Sequence, residues 1–419
     1  MTHAGVLIYR SILYLSQAPF RYSNPKSLTF DSLMRAIVWM DFERSQNVYD
    51  ESADTRSRTP ADSRRLLFQR FATTHDGNIL LFNAKDARKK AQRRAFEFPG
   101  TINEAQRQKF AKINFDEDGD EMLHDVLDAL FVAQPTLIWM GPITRDAFRP
   151  LAKELHGGES LYHLSIPQKE FRTAVKLLLF TYFGPPTIPI EQLSNLDHVV
   201  NCLVRSFVQI PDVGITWDMF DQAVSKATPE LFTGLHHLLY PFYQPSDARN
   251  IAGCLSQQGK VASLPVLAQL GSIFSYHVAF KGLKLHGYYD TSTAPITASA
   301  LADQITAIVN DPVIVLISGK ITHTDERAIF GYHRPLSDLV APCVLFELSP
   351  IHDAFSGSDS NLLGGKINGG DNLVCGEKDN GVAFVLHNNL RHLKCRIKSL
   401  GRMSPCTAQL NGEVIGRRI

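Results

Sequence analysis

The chain has 419 residues, 44% hydrophobic and 20% charged, with a formal net charge of +1. Its length allows two or three domains of roughly 100–200 residues each, and the balanced charge argues against the domain-wide basic surface that nucleic-acid binding needs. No apolar run reaches the roughly 18 residues of a membrane-spanning helix. The apolar segment from Val6 to Tyr14 is short and broken by Arg10. It has no basic stretch before it and no small-residue cleavage site after it, so no signal peptide is read and a cytoplasmic location is expected.

The first 250 residues read as helices. Thr59-Pro60-Ala61-Asp62 is a helix start, with a capping hydroxyl, proline at the first helical position and a carboxylate in the first turn. Leu67, Phe68 and Phe71 follow at helical spacing. Met122, Val126 and Leu130 form a second apolar stripe, Phe171, Val175, Leu178 and Leu179 a third, and Leu196, Val199, Val200, Leu203 and Phe207 a fourth.

One local pattern recurs. Leu28-Thr29 precedes Leu33, Ile143-Thr144 precedes Phe148, Ile166-Pro167 precedes Phe171, and Ile215-Thr216 precedes Phe220. A strand residue, a helix starter and a buried position four residues on make up the exit half of an EF-hand, although ordinary capped helices share that chemistry. Calcium is not expected at any of them. Counted back from Ile215, the ligand positions fall on Val208, Ile210, Asp212 and Met219, too few oxygens for a hard cation. The loops counted from Leu28, Ile143 and Ile166 are no better supplied. The acidic run from Asn114 to Glu121 misses the glycine or the bidentate glutamate in either register, and reads as a solvated linker before a helix from about Glu121. With the six basic residues between Lys85 and Arg94, it defines a charge-segregated insert over about 84–120, expected to be exposed and mobile.

The texture changes after Pro245. A polar link over 246–260 leads to a helical stripe, Leu264, Leu267, Leu270 and Phe274, and then to strands. The run from Val313 to Ile317 reads as a strand buried on both faces. Strands are also expected at 328–332, 343–348, 373–375, 382–386 and 393–397, with Asn380-Gly381 as a hairpin turn. Short strands at this spacing predict a β-sandwich.

Six cysteines, Cys202, Cys254, Cys343, Cys375, Cys395 and Cys406, contain no C-x-x-C pair, so free buried thiols are expected in place of a zinc site. Cys343 and Cys375 should lie on strands. His236-His237 are adjacent on a helix and do not face one site. His352-Asp353 has no serine or cysteine elbow to complete a triad and reads as a polar turn. Gly364-Gly365-Lys366 lacks the remainder of a phosphate loop. No catalytic residue, cofactor or metal ligand is assigned.

These C-terminal residues resemble the TLDc domain in their order. An apolar strand ends in Ser318-Gly319, and Ile329-Phe330-Gly331-Tyr332 follows. Leu345-Phe346-Glu347-Leu348-Ser349-Pro350 comes next with His352-Asp353, then Gly369-Gly370, then a hairpin starting at Gly376. The N-terminal half is similar to the fungal restriction-of-telomere-capping branch at Tyr14-Leu15, Pro19-Phe20, Leu28 to Met40, Leu66 to Ala72 and Phe220 with Pro229 to Leu235. The resemblance implies an α+β protein, with a helical region over 1–248 made of degenerate EF-hand-like pairs and a TLDc-like sandwich with flanking helices over 262–419. In that family Ser318, Gly319, Phe330, Gly331, Phe346, Pro350, Gly369, Gly370 and Gly376 would be structural.

The resemblance also implies a non-catalytic interaction protein. Its partner would be the cytosolic part of the vacuolar proton-pumping ATPase, with links to oxidative-stress resistance and peripheral association with the vacuolar membrane. A hydrolase or thiol-dependent peroxide enzyme, or a calcium-binding module, are the alternatives. The tail departs from the family: Ser404-Pro405-Cys406-Thr407 and a glycine-containing stretch to Ile419 replace its acidic-aromatic last strand. Either the tail supplies a substitute strand or a sandwich edge is left unpaired. Partner contact is expected at a loop, Tyr332-His333-Arg334-Pro335, since Tyr and Arg are enriched in binding hot spots.

Overall fold

The computed structural model describes residues 2–20, 27–40, 59–74, 80–95, 97, 121–134, 143–156, 160–182, 193–208, 213–238, 259–274, 283–290, 297–308, 312–321, 324–335, 343–357, 373–377, 382–386, 392–397, 402–407 and 411–417. The fold is α+β, with helices mostly N-terminal and antiparallel sheets in the C-terminal part. Two compact units emerge. One holds Met1–Ala174, Val208–Gln222 and Leu235–Tyr243; the other holds Val175–Phe207, Ala223–Gly234 and Gln244–Ile419.

In the first unit, helices α1 (Thr2–Gln17) and α2 (Phe30–Met40) pack through Ile12, Leu15, Ala36, Ile37 and Trp39 onto Leu66 of α3 (Pro60–Gln69). Helix α3 starts where the sequence predicts. The Thr59 N–H donates to Asp62 Oδ2 at 2.8 Å, and Pro60 takes the first turn, where no N–H is needed. After β1 (Thr73–Thr74) comes α4 (Ala84–Ala95), then α5 (Leu123–Ala133) and α6 (Arg149–His156). Leu123, Val126 and Leu127 of α5 pack against Ala152 of α6.

Helix α4 corrects the expectation that the whole 84–120 stretch is exposed and mobile. Asn83 caps it, its side-chain oxygen accepting from the Lys85 N–H at 3.0 Å. Ala87, Ala91 and Arg94 then recur on one face and are buried. Small side chains at this spacing let the helix approach its neighbours closely while its other face stays charged. The acidic residues 116–120 lie outside the described residues. Glu121, expected to open a solvated first turn, is buried.

Two of the four strand–cap–apolar segments form the pair expected of EF-hand-like units. Strands β2 (Leu164–Ile166) and β3 (Ile215–Thr216) run antiparallel with Ile166 opposite Ile215, and β1 adds to β2. Each leads into a helix, α7 (Gln168–Thr181) or α9 (Trp217–Lys226), whose Phe171 and Phe220 rings meet edge-on 6.4 Å apart. Gly214 enters β3 with φ of 78°, and a Cβ there would sit 2.9 Å from the Ile166 carbonyl oxygen, so both conformation and space require glycine. Thr29 and Thr144 lie in no strand and serve only at helix starts: Thr29 exchanges bonds with Ser32 ahead of α2, and Thr144 opens a 3-10 turn, Arg145–Phe148, before α6.

The second unit contains α8 (Leu196–Phe207), α10 (Leu264–Gly271), β4 (Leu283–Asp290), α11 (Ala298–Ala307), β5 (Val313–Lys320), β6 (Arg327–Arg334), β7 (Cys343–Ser349) and β8 (Asp353–Gly357). Strands β9 (Leu373–Glu377), β10 (Val382–Leu386), β11 (His392–Ile397), β12 (Arg402–Thr407) and β13 (Asn411–Arg417) follow. A six-stranded sheet has the order β4-β13-β5-β6-β7-β8, and a four-stranded sheet the order β12-β11-β10-β9. The two meet where β12 approaches β5, while α8 and α10 lie against β7. Strand β5 is buried from Val313 to Gly319, as its continuous apolar run predicts.

The tail resolves the open question about the last strand. Residues Asn411 to Arg417 form β13, inserted between β4 and β5 with Val414 opposite both Gly287 and Val315. The polar tail therefore supplies an interior strand.

Candidate functional site

Helix α8 places His198 and Cys202 one turn apart, beside the end of β7. The Cys202 sulfur lies 3.6 Å from His198 Nε2, which is 3.0 Å from Ser349 Oγ. This has the residue types of a nucleophile–base arrangement. Ser349 donates its proton to the Arg327 carbonyl at 2.5 Å, so it offers His198 a lone pair. His198 then carries hydrogen on Nε2, the wrong tautomer for a base toward either neighbour. Burial pushes the Cys202 thiol up to about 11, where little nucleophilic thiolate is present at neutral pH. The geometry supports a hydrogen-bonded clasp between α8 and β7.

His352 completes that clasp from the other side. Its N–H donates to the Cys202 carbonyl at 3.1 Å, and its Nε2 lies 2.9 Å from the Ala227 carbonyl. Nε2 therefore holds the ring proton. Nδ1 accepts from Gln269 Nε2 at 3.1 Å, and the second amide hydrogen of Gln269 reaches the Leu348 carbonyl at 2.7 Å. Burial drives the His352 imidazole down to about 4, which keeps it neutral and able to accept. The turn expected at His352 exists, but the ring is fully buried and is a pin for the sheet.

The first unit holds a buried ionic network. Arg94 donates from Nε to Asp221 Oδ2 at 2.7 Å, from NH1 to Glu121 Oε2 at 3.1 Å and from NH2 to Asp218 Oδ1 at 2.5 Å, with its guanidinium 4.8 Å from the centre of the Trp217 ring. Arg64 takes the other Asp221 oxygen at 2.7 Å and pairs with Glu97. The Trp217 indole N–H reaches Glu121 Oε2 at 2.8 Å, and Lys90 reaches Asp218 at 2.6 Å. Guanidinium groups fill the space between these carboxylates. Among the described residues no group of three or more His, Cys, Asp or Glu side chains is arranged to hold a metal ion. The network ties α3, α4 and α9 to the start of α5.

The residues expected to meet a partner are placed differently. Tyr332, His333 and Arg334 are the last three residues of β6, and the predicted loop can begin only at Pro335. Tyr332 and His333 are buried, His333 with its ring 4.4 Å from that of Phe274, and the Arg334 guanidinium donates to the Ile308 carbonyl. The strand continues because Val313, Ile314 and Val315 of β5 pair with all three. They are therefore not a contact loop.

The motif residues belong to the sheets. Ser318 and Gly319 are near the end of β5, Phe330 and Gly331 in β6, Phe346 in β7, and Pro350 directly after it. Gly331 stands opposite Phe346, and a Cβ on it would lie 2.3 Å from that ring and 2.6 Å from the Val315 carbonyl oxygen. Gly376 is on β9, opposite Ala383. Gly369 and Gly370 lie outside the described residues. Cys343 is buried on β7, and Cys375 is on β9. His236 and His237 fall in a 3-10 helix, Thr233–Leu238.

The fold thus defines an α+β protein with an EF-hand-like helical unit and an antiparallel two-sheet unit. The sequence is similar to restriction of telomere capping protein 5 of Leptosphaeria maculans, at 22% identity in an alignment 272 residues long, with 48% of this chain and 43% of that protein covered. The chain therefore spans less than half the length of that relative. No family model and no solved structure matches the chain.

Proposed function

We propose that the chain is a non-catalytic interaction protein of the TLDc type, which docks on the cytosolic part of the vacuolar proton-pumping ATPase, regulates its assembly and so contributes to stress resistance. The observation that carries this reading is the use made of the motif residues. Gly331 and Phe346 form a cross-strand pair, and Ser349 and His352 clasp α8 and α10 to the sheet. Polar groups in that region are engaged in holding the fold, which favours a surface that binds over a site that turns over substrate. The likeness to the fungal telomere-capping relative, together with a helical unit preceding the sheets, supports the same branch.

The deciding experiment is a pull-down of the assembled pump's cytosolic sector with the purified full chain. Retention of the pump at micromolar chain is expected. Its absence with correctly folded protein would sink the proposal.

A further inference from the structure

Helix α4 carries an exposed outer face whose cations no described residue pairs with. Its buried residues, Ala87, Ala91 and Arg94, lie on one side. At about 100° per residue, Arg88, Gln92, Lys85, Lys89 and Arg93 follow one another around an arc of roughly 140° on the opposite side. The four cations of that arc are exposed and make no ion pair among the described residues. Lys90, at the border, is already paired with Asp218, and Asp86 is the one carboxylate of the helix. Just before the helix, Leu81 is 98% exposed, the most exposed of the large hydrophobic residues described. It is also held in place: the neighbouring Phe82 ring stacks on Tyr162 at 5.1 Å and meets His163 at 5.2 Å.

We propose that α4 is a peripheral docking face for an anionic membrane surface, with Lys85, Arg88, Lys89 and Arg93 against the headgroups and Leu81 entering the boundary with the acyl chains. A fluid anionic interface supplies negative charge without a fixed geometry, which suits long, independently solvated cations. A protruding leucine gains by entering lipid, as on other interfacial helices. A nucleic acid would call for aromatic side chains interleaved with the cations, and the arc has none. An acidic protein face would pair with the cations but would leave Leu81 without a lipid interior to enter. The tie through Arg94 and Lys90 to Asp218 would hold the helix flat against its unit while its outer face engages the surface.

Sedimentation of the full chain with vesicles tests this. Binding is expected to vesicles of about 30% phosphatidylserine at about 0.1 M salt, to weaken at least tenfold at 0.5–1 M salt, and to be absent with pure phosphatidylcholine. Replacing Lys85, Arg88, Lys89 and Arg93 together by Gln should weaken binding by about tenfold or more, and Leu81→Ser by a few fold, with melting temperatures near wild type because these side chains are solvent-exposed. Equal binding to neutral vesicles, or wild-type binding by the Gln variant, would overturn the proposal. So would binding to polyglutamate but not to vesicles, which would assign the face to an acidic protein.

Discussion

Gly331 and Phe346 show how tightly single positions are specified in the larger sheet. A methyl group on residue 331 would press on the Phe346 ring, which could rotate, and on the Val315 carbonyl, which is fixed in the ladder between β5 and β6. Gly331→Ala should therefore destabilise the protein by about 1–3 kcal/mol, the usual cost of overpacking a well-packed site. The check is a chemical-denaturation curve: the midpoint should fall with the m-value unchanged. A variant as stable as wild type would mean that the sheet yields at this point and that Gly331 is not specified by packing. Arg94 poses the opposite problem. In the sequence it is the last of six basic residues, all equally suited to solvent. Its partners Glu121, Asp218 and Asp221 are 27, 124 and 127 residues away. The legible signal was the i, i+4, i+7 placement of Ala87, Ala91 and Arg94, which marks a buried stripe once the local charge density is set aside.

At the scale of elements, local chemistry made starts and strand interiors readable. The capped start at Thr59-Pro60 and the apolar run of β5 were both evident in the sequence, because each depends on neighbours in the chain. The pairing of β2 with β3 was legible only as a repeated strand–cap pattern, since Thr29 and Thr144 carry the same cap without a strand. The C-terminal strands were hidden for two reasons. Pro405 argues against a strand, and β12 tolerates it as an edge strand of the smaller sheet. Strand β13 is polar and glycine-containing, so its place between β4 and β5 is set by ladder partners more than 90 residues upstream in the chain. Its interior position makes a sharp prediction. Val414→Pro removes a ladder donor from a strand paired on both sides, at a cost of about 3 kcal/mol or more. Circular dichroism during urea unfolding should show a markedly lower midpoint or loss of the β signal; a wild-type curve would contradict the interior placement.

For the whole molecule, a net charge of +1 removes general self-repulsion as a source of pH dependence near neutrality, which leaves buried titratable groups to set it. His352 and His333 are both held down to about 4 by burial, against an ordinary 6.5. Among the described residues, the His333 ring nitrogens meet no hydrogen-bond partner. A histidine whose folded value is depressed is neutral in the fold and takes up a proton on unfolding. Its contribution is fully present above pH about 6.5 and is lost as pH falls toward about 4, at up to roughly 1.4 kcal/mol per pH unit for each proton. Between pH about 5 and 6.5, above the usual carboxylate range, two such histidines should make stability fall visibly as acid is added. His333→Phe keeps the packing against Phe274 and removes one titrating group and its unpaired nitrogens. The expected result is an acid limb shallower by about one proton over that window, with neutral-pH stability equal to or above wild type. Urea midpoints measured from pH 5 to 8 provide the test, and an unchanged slope in the variant would show that His333 is protonated, or reached by water, in the folded protein.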